Sequence, residues 1–218
     1  MSIGISSERV LTVAATGLQQ GVSELGLAVS AEQQARLIQY LVLLEKWNQV
    51  YNLTAIRDLG KMVSAHLLDS LSVVPFLSGR TVLDVGSGAG LPGIPIALAR
   101  PDWEVTLLDS NHKKAAFLRQ AIADLSLRNA SVVCERVESW LAPREFDVIV
   151  SRAFADLGEF VSLAGRLLAP GGVFAAMKGL RPFEELERLP PEYRVRDIKA
   201  LQVPGLDAQR HLVLIERA

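Results

Sequence analysis

Thr81-Val-Leu-Asp-Val85-Gly86-Ser-Gly88-Ala-Gly90 decides the fold. A short apolar, β-branched run ends in three glycines at alternate positions, and Gly93 to Ala99 follows with helical character. A buried strand that runs into a glycine turn and then a helix opens a βαβ unit. Glycines at such a turn accept positive φ and let the backbone approach a ligand closely. The helix start behind them offers unbonded N–H groups. The dinucleotide fingerprint is Gly-x-Gly-x-x-Gly, whereas this stretch reads Gly-x-Gly-x-Gly and places Leu91 where the third glycine belongs. A tight turn that holds no ligand is the plain alternative.

Downstream, strand and helix alternate. Strands are expected at 104–108, 131–134, 146–150 and 173–177, with helices at 93–99, 113–127 and 157–168, the last ending at Ala169-Pro-Gly-Gly172. The strand runs are uniformly apolar, which suits a parallel sheet covered on both faces. The tail differs: 193–203 and 211–217 are both strand-like and lie too close together for a crossover, so they predict an antiparallel hairpin. Upstream, Ser30-Ala-Glu-Gln33 is a capping box. Leu37, Leu41, Leu44, Trp47 and Tyr51 form one helical face behind it. Another helix is expected at 59–74, before Pro75, and a weaker one at 7–27, interrupted by Gly17 and Gly21. The expectation is an α/β, doubly wound, mostly parallel seven-stranded Rossmann-like sheet. It carries a C-terminal antiparallel hairpin, and its domain (78–218) follows an N-terminal helical extension (1–77).

Composition narrows the function. The 218 residues carry 23 basic and 24 acidic side chains, a net charge of −1, which argues against general coating of nucleic acid but leaves room for a local basic patch. No apolar run reaches the roughly 18 residues of a membrane helix, and the N-terminus lacks the basic lead of a secretory signal. A cytoplasmic protein is expected. One cysteine, Cys134, and three scattered histidines, His66, His112 and His211, make no metal set. Asn52-Leu-Thr54 matches a glycosylation acceptor but has no secretory context.

In an open α/β sheet, ligands bind beyond the carboxyl ends of the strands. The polar residues there are Asp84, Gly86, Asp109, Glu138, Arg152 and Lys178. Asp109 ends the second strand 23 residues after Gly86, a spacing at which a carboxylate accepts from both ribose hydroxyls of an adenosine. A helix cap or a solvated strand end is the alternative for each.

The glycine stretch, Asp109 and the terminal hairpin resemble class I S-adenosylmethionine-dependent methyltransferases. Six ordered blocks narrow the resemblance. They are Asn52-Leu-Thr-Ala-Ile56, His66-Leu-Leu-Asp-Ser70, Gly90-Leu-Pro-Gly-Ile94, Leu107-Leu-Asp-Ser110, Ser151-Arg-Ala-Phe154 and Arg210-His-Leu-Val213. Together they resemble the bacterial small-subunit rRNA methyltransferase family RsmG, also called GidB, from about residue 30 onward. The resemblance implies S-adenosyl-L-methionine as cofactor. It implies ring nitrogen seven of one guanine in 16S ribosomal RNA, free or in the small ribosomal subunit, as acceptor. Gly86, Gly88, Gly90 and Leu91 are then the cofactor loop, Val137 and Glu138 flank the adenine, Arg152 reaches the cofactor and Asp109 holds the ribose. RNA contacts are expected from Lys178 and Arg181, and from His66 and His211. A monomer and no metal are expected.

The chemistry agrees. Ring nitrogen seven already carries an exposed lone pair, so transfer needs alignment more than a base. No Asp/Asn-Pro-Pro-aromatic block for an exocyclic amine follows the fourth strand. Cys134, the residue type that carbon-5 pyrimidine methylation employs, is expected to be a buried inert thiol. The alternatives are a methyltransferase acting on another RNA position, a small molecule or a protein; a nicotinamide oxidoreductase, opposed by the missing glycine and the hairpin; and a non-catalytic adenosine sensor.

Overall fold

The computed structural model describes residues 2–152, 154 and 156–218, with side chains from residue 8 onward. Met1, and Ala153 of the Ser151–Phe154 block, lie outside the described residues. The elements are α1 (Ser2–Glu24), α2 (Ala31–Tyr51), α3 (Leu59–Met62), a π-helical turn (Val63–Leu68), α4 (Asp69–Leu71), β1 (Thr81–Val85), α5 (Gly93–Ala99), β2 (Glu104–Leu108), α6 (His112–Asp124), β3 (Ala130–Val133), β4 (Phe146–Ser151), α7 (Leu157–Ala164), β5 (Leu168–Lys178), α8 (Phe183–Glu187), β6 (Tyr193–Ala200) and β7 (His211–Arg217).

The strands form one sheet in the order β3-β2-β1-β4-β5-β7-β6. β1 to β5 are parallel, and β7 runs antiparallel to both β5 and β6. Successive side chains point to opposite faces, and the apolar strands feed two layers. Val82, Val105, Val148 and Val173 join one apolar cluster, whereas Leu83, Ile149 and Phe174 join the other with Leu157, Phe160 and Val161 of α7.

The first cluster also takes in Leu18, Leu37, Leu41, Leu44, Met62 and Leu71. The boundary expected at 77/78 therefore falls inside a shared core. Trp47 packs edge-on to Phe117 of α6 at 5.6 Å, which makes it a packing residue. Ser30 and Gln33 form the expected capping box. Gln33 also donates to the Leu98 carbonyl at the end of α5, tying α2 to the domain behind it.

Three boundaries differ from the sequence reading. α1 runs unbroken through Gly17 and Gly21, because Gly21 is where Leu68 packs: a Cβ there would lie 2.3 Å from its Cδ1. β5 starts at Leu168 and absorbs Ala169-Pro-Gly-Gly172; Gly172 fits because its Cα faces the carbonyls of Ala169 and Asp147. The helix expected over 59–74 is broken by the π-helical turn and finishes at Leu71. α8 was not foreseen from the sequence.

Candidate active site

The turn after β1 is built from both sides. Gly86, Gly88 and Gly90 all have positive φ (70°, 59° and 87°), a region that costs residues with a Cβ. The N–H groups of Gly86 and Ser87 donate to the Leu108 carbonyl at 2.9 and 3.0 Å, lashing the turn to the end of β2. Asp109 Oδ2 accepts from Gly88 N–H (2.8 Å) and Oδ1 from Asn111 N–H (2.8 Å). On the other side, the buried Tyr40 hydroxyl of α2 donates to the Ala89 carbonyl (2.6 Å). Burial pushes that phenol far above its ordinary range.

Gly93 supplies the close helix–strand contact that the third fingerprint glycine provides elsewhere. A Cβ on it would lie 2.2 Å from Leu107 Cδ2 and 2.7 Å from Asp84 Oδ2. Asp84 is fully buried, and its Oδ2 accepts from Ser87 Oγ (2.7 Å) and Gly93 N–H (2.9 Å). Its Oδ1 has no partner among the described residues. Burial pushes the Asp84 carboxyl up to about 6, against the pull of these bonds and of Arg152.

Two concavities open at this edge. A cleft of about 390 Å³ is lined by Gly86, Asp109, Lys114, Val137, Glu138 and Phe154, among others. A pocket of about 840 Å³ is lined by Arg152, Phe154, Lys178, Leu180, Arg181 and Phe183, among others. Phe154 belongs to both, and its ring stacks on Phe160 at 5.0 Å. A larger concavity, about 1250 Å³, lies around the amino ends of β2 and β3, away from the glycine turn and from the edge where such sheets bind ligands.

The expected residues separate accordingly. Gly86, Asp109, Val137 and Glu138 line the smaller cleft, and Gly88 is bonded to Asp109 behind it. Leu91 is buried in the apolar core, and Gly90 packs toward Ile94 and Leu118. Arg152 lines the larger pocket; its Nη1 donates to the Ala65 carbonyl and to Asp69 Oδ2, both at 3.2 Å. Lys178 is held: its ammonium donates to Glu185 (2.7 Å) and to the Phe154 carbonyl (3.1 Å), which neutralises the charge expected to meet phosphate. Arg181 is exposed, with its guanidinium 5.1 Å from the centre of the Phe183 ring.

His66 is a correction. It is buried, Nδ1 donates to the Ala65 carbonyl and Nε2 accepts from Thr54 Oγ1 (2.9 Å each). Burial holds its imidazole down at about 4, so it is a neutral internal group with no face for phosphate. His211 donates through Nδ1 to the Gly179 carbonyl at 3.0 Å. Cys134 is a second correction: it stands just past β3, half-buried, with Sγ 3.3 Å from His112 Nδ1, because β3 is the sheet edge and is only half covered.

The sequence reading missed Tyr40, Gly93 and Asp69. Gly93 had a signal in its own block. Tyr40 had none: it is not among the face positions Leu37, Leu41, Leu44, Trp47 and Tyr51, and nothing in the sequence ties it to Ala89.

The edge suits an adenosylated, cationic ligand. The Asp109 carboxylate stands at the cleft wall, and the volume falls in the range of small-ligand sites. The solved M. jannaschii TYW2 in complex with AdoMet shares this fold, with a TM-score of 0.52 at 16% identity over 69% of this chain and 74% of that one. The Laribacter hongkongensis ribosomal RNA small subunit methyltransferase G is 58% identical over 90% of this chain and 95% of its own length. The protein of the same name from Nitrosospira multiformis is 52% identical over 94% and 98%. The family model for rRNA small subunit methyltransferase G matches residues 33–213, so the chain belongs to that family.

Proposed function

We propose that the chain transfers a methyl group from S-adenosylmethionine to ring nitrogen seven of a guanine in 16S ribosomal RNA of the small subunit. The observation that carries this reading is Phe154, a common wall between a small cleft and a larger open pocket at one sheet edge. On this reading the small cleft holds the cofactor and the larger pocket receives the base. When bound, the cofactor supplies a sulfonium-activated, electrophilic methyl group.

The chain's residues do the rest. Asp109 presents carboxylate oxygens to a ribose while steadying the glycine turn. Asp84, buried behind the cleft, acts on the cofactor through the turn, whose Ser87 hydroxyl and Gly93 N–H its Oδ2 holds. Val137 and the flanking Glu138 border the adenine, and Arg152 bridges toward the cofactor from the neighbouring pocket. The aromatic face of Phe154 and the Arg181–Phe183 pair offer stacking surfaces of the kind that hold splayed bases. Because the acceptor nitrogen needs no deprotonation, holding two ligands in line is sufficient chemistry.

Residues 1–77 serve here as the brace behind the cofactor loop and share its core. We take the enzyme to act in the cytoplasm as a monomer; no described helix is long and apolar enough to cross a membrane. The test is incubation with methyl-labelled S-adenosylmethionine and, separately, small subunits lacking the modification, naked 16S RNA and free nucleotides, followed by mapping of the label. Label on a single guanine of 16S RNA, identified as 7-methylguanosine by mass spectrometry, supports the reading. Label confined to protein or to free nucleotide overturns it.

A further inference from the structure

Asp69 lies outside every role assigned so far, yet three sequence blocks converge on it. Its carboxylate is 2% exposed; Oδ2 accepts from Arg152 Nη1 at 3.2 Å and Oδ1 from Arg210 Nε at 3.1 Å. The partners stand 83 and 141 residues away along the chain, one just past β4 and the other just before β7. Each arginine remains about a quarter exposed, 29% and 26%, so each is fixed on one side and accessible on the other. A carboxylate so buried would be costly alone, and two guanidiniums offset that cost.

The π-helical turn contributes a second hold. In an α-helix the Ala65 carbonyl would accept from Asp69 N–H. Here Asp69 N–H goes instead to the Ser64 and His66 carbonyls, and the Ala65 carbonyl accepts from Arg152. The irregular turn and the residue that caps it thus provide both acceptors that Arg152 Nη1 uses. Inserted residues of this kind cluster where a helix has a job beyond packing.

We propose that Asp69 is a positioning residue, which fixes Arg152 for the cofactor and Arg210 for the RNA backbone on the two oxygens of one carboxylate. The inference rests on the methyltransferase reading above and on Arg152 serving the cofactor. It makes the N-terminal helices part of the alignment of both ligands. Arg210 is the phosphate-facing member because its guanidinium lies by Gly179, at the rim of the larger pocket: Nη1, which also donates to the Gln209 carbonyl at 2.9 Å, would be 4.0 Å from a Cβ on Gly179.

A double-mutant cycle tests this. S-adenosylmethionine affinity is measured by calorimetry for Arg152→Ala, Asp69→Asn and the double variant, with thermal unfolding recorded for each. Expected are a rise in Kd of about tenfold for each single variant, equivalent to about 1.4 kcal/mol, and a double variant no worse than Arg152→Ala. Additive losses would make Asp69 merely structural and overturn the proposal. So would an unchanged Kd in folded Asp69→Asn. A normal Kd in Arg152→Ala would instead remove Arg152 from the cofactor site, a failure of the underlying reading.

Arg210→Met keeps the idea testable even if Asp69→Asn does not fold. With Arg152 still held on Oδ2, its cofactor Kd is expected to stay within about twofold, while KM for small subunits rises at least fivefold with kcat little changed. A cofactor loss equal to that of Arg152→Ala, or an unchanged KM, refutes the separate placement of the two arginines.

Discussion

The two concavities that share Phe154 are built on opposite plans. The glycine turn beside the small cleft is braced from three sides: Gly88 N–H by Asp109, the Ala89 carbonyl by Tyr40, Gly93 N–H by Asp84. The larger pocket ends in a rim where Leu180 is 72% and Phe183 64% exposed. A small ligand brings little surface of its own, so its site must be organised before it arrives. A folded RNA brings a large surface, and a rim of exposed apolar and cationic side chains can wait for it. The difference teaches that changes around the small cleft should register as stability and cofactor affinity together, whereas changes on the rim should leave both alone.

The severest break is expected at Gly93. Gly93→Val places carbon atoms where Leu107 and Asp84 already stand. Overpacking of this kind costs roughly 1–3 kcal/mol, and it also displaces the Asp84 acceptor. Cofactor binding should vanish by calorimetry in a protein whose unfolding midpoint has dropped. Gly88→Val is the milder contrast, since a Cβ there meets nothing nearer than 3.7 Å and only the positive φ opposes it.

Asp84→Asn should separate stability from binding. The Asp84 carboxyl is raised from 3.8 to about 6, so the fold favours its protonated form. That favour is complete below about pH 4 and is lost as pH rises through 6; at neutral pH the buried charge costs on the order of 3 kcal/mol. The amide variant should therefore unfold at a higher temperature at pH 7.5 yet bind S-adenosylmethionine at least tenfold more weakly. In the wild type, cofactor affinity should fall as pH is lowered through about 6, where the carboxylate becomes neutral. His66 works the other way on stability. Held at about 4, it should cost stability as pH falls from 6.5 toward 4, a loss that denaturation of His66→Gln should not show.

A subtler break is Tyr40→Phe. It keeps the ring and leaves the Ala89 carbonyl without its donor, an unmade bond worth about 1 kcal/mol. Cofactor Kd should rise several-fold although Tyr40 touches no ligand. An unchanged Kd would show that the turn holds its shape without α2.

The smallest effects on the cofactor belong to the rim. Arg181→Ala and Phe183→Ala should leave S-adenosylmethionine affinity and unfolding unchanged. Arg181→Ala should flatten the slope of log RNA affinity against log salt by about 0.7 to 0.9. If the salt slope is unchanged, the RNA lies elsewhere.

The sheet was legible because parallel strands buried on both faces announce themselves as apolar runs, and the glycine turn fixes where the site lies. Phe146 to Val150 and Glu104 to Leu108 needed nothing more. What escaped the sequence were partners that chain order cannot supply. Lys178 looked like a free cation at a strand end until α8 brought Glu185 to it. His66 looked available until Thr54 and the π-helical turn enclosed it. Asp69 sat in plain view within a recognised block, but its meaning depends on two arginines that folding delivers from far along the chain.

That distance has a consequence for how the protein comes into being. β7 inserts between β5 and β6, and Arg210 reaches Asp69 only when β7 has been made. A nascent chain that stops between α5 and β7 therefore carries the whole glycine turn but neither the strand that joins β5 to β6 nor the Arg210–Asp69 contact. Such products also lack Leu212 to Ile215, the buried stretch of β7 that joins β5 to β6, so they should be silent as methyltransferases rather than partly active, and competence arrives in a single late step of synthesis.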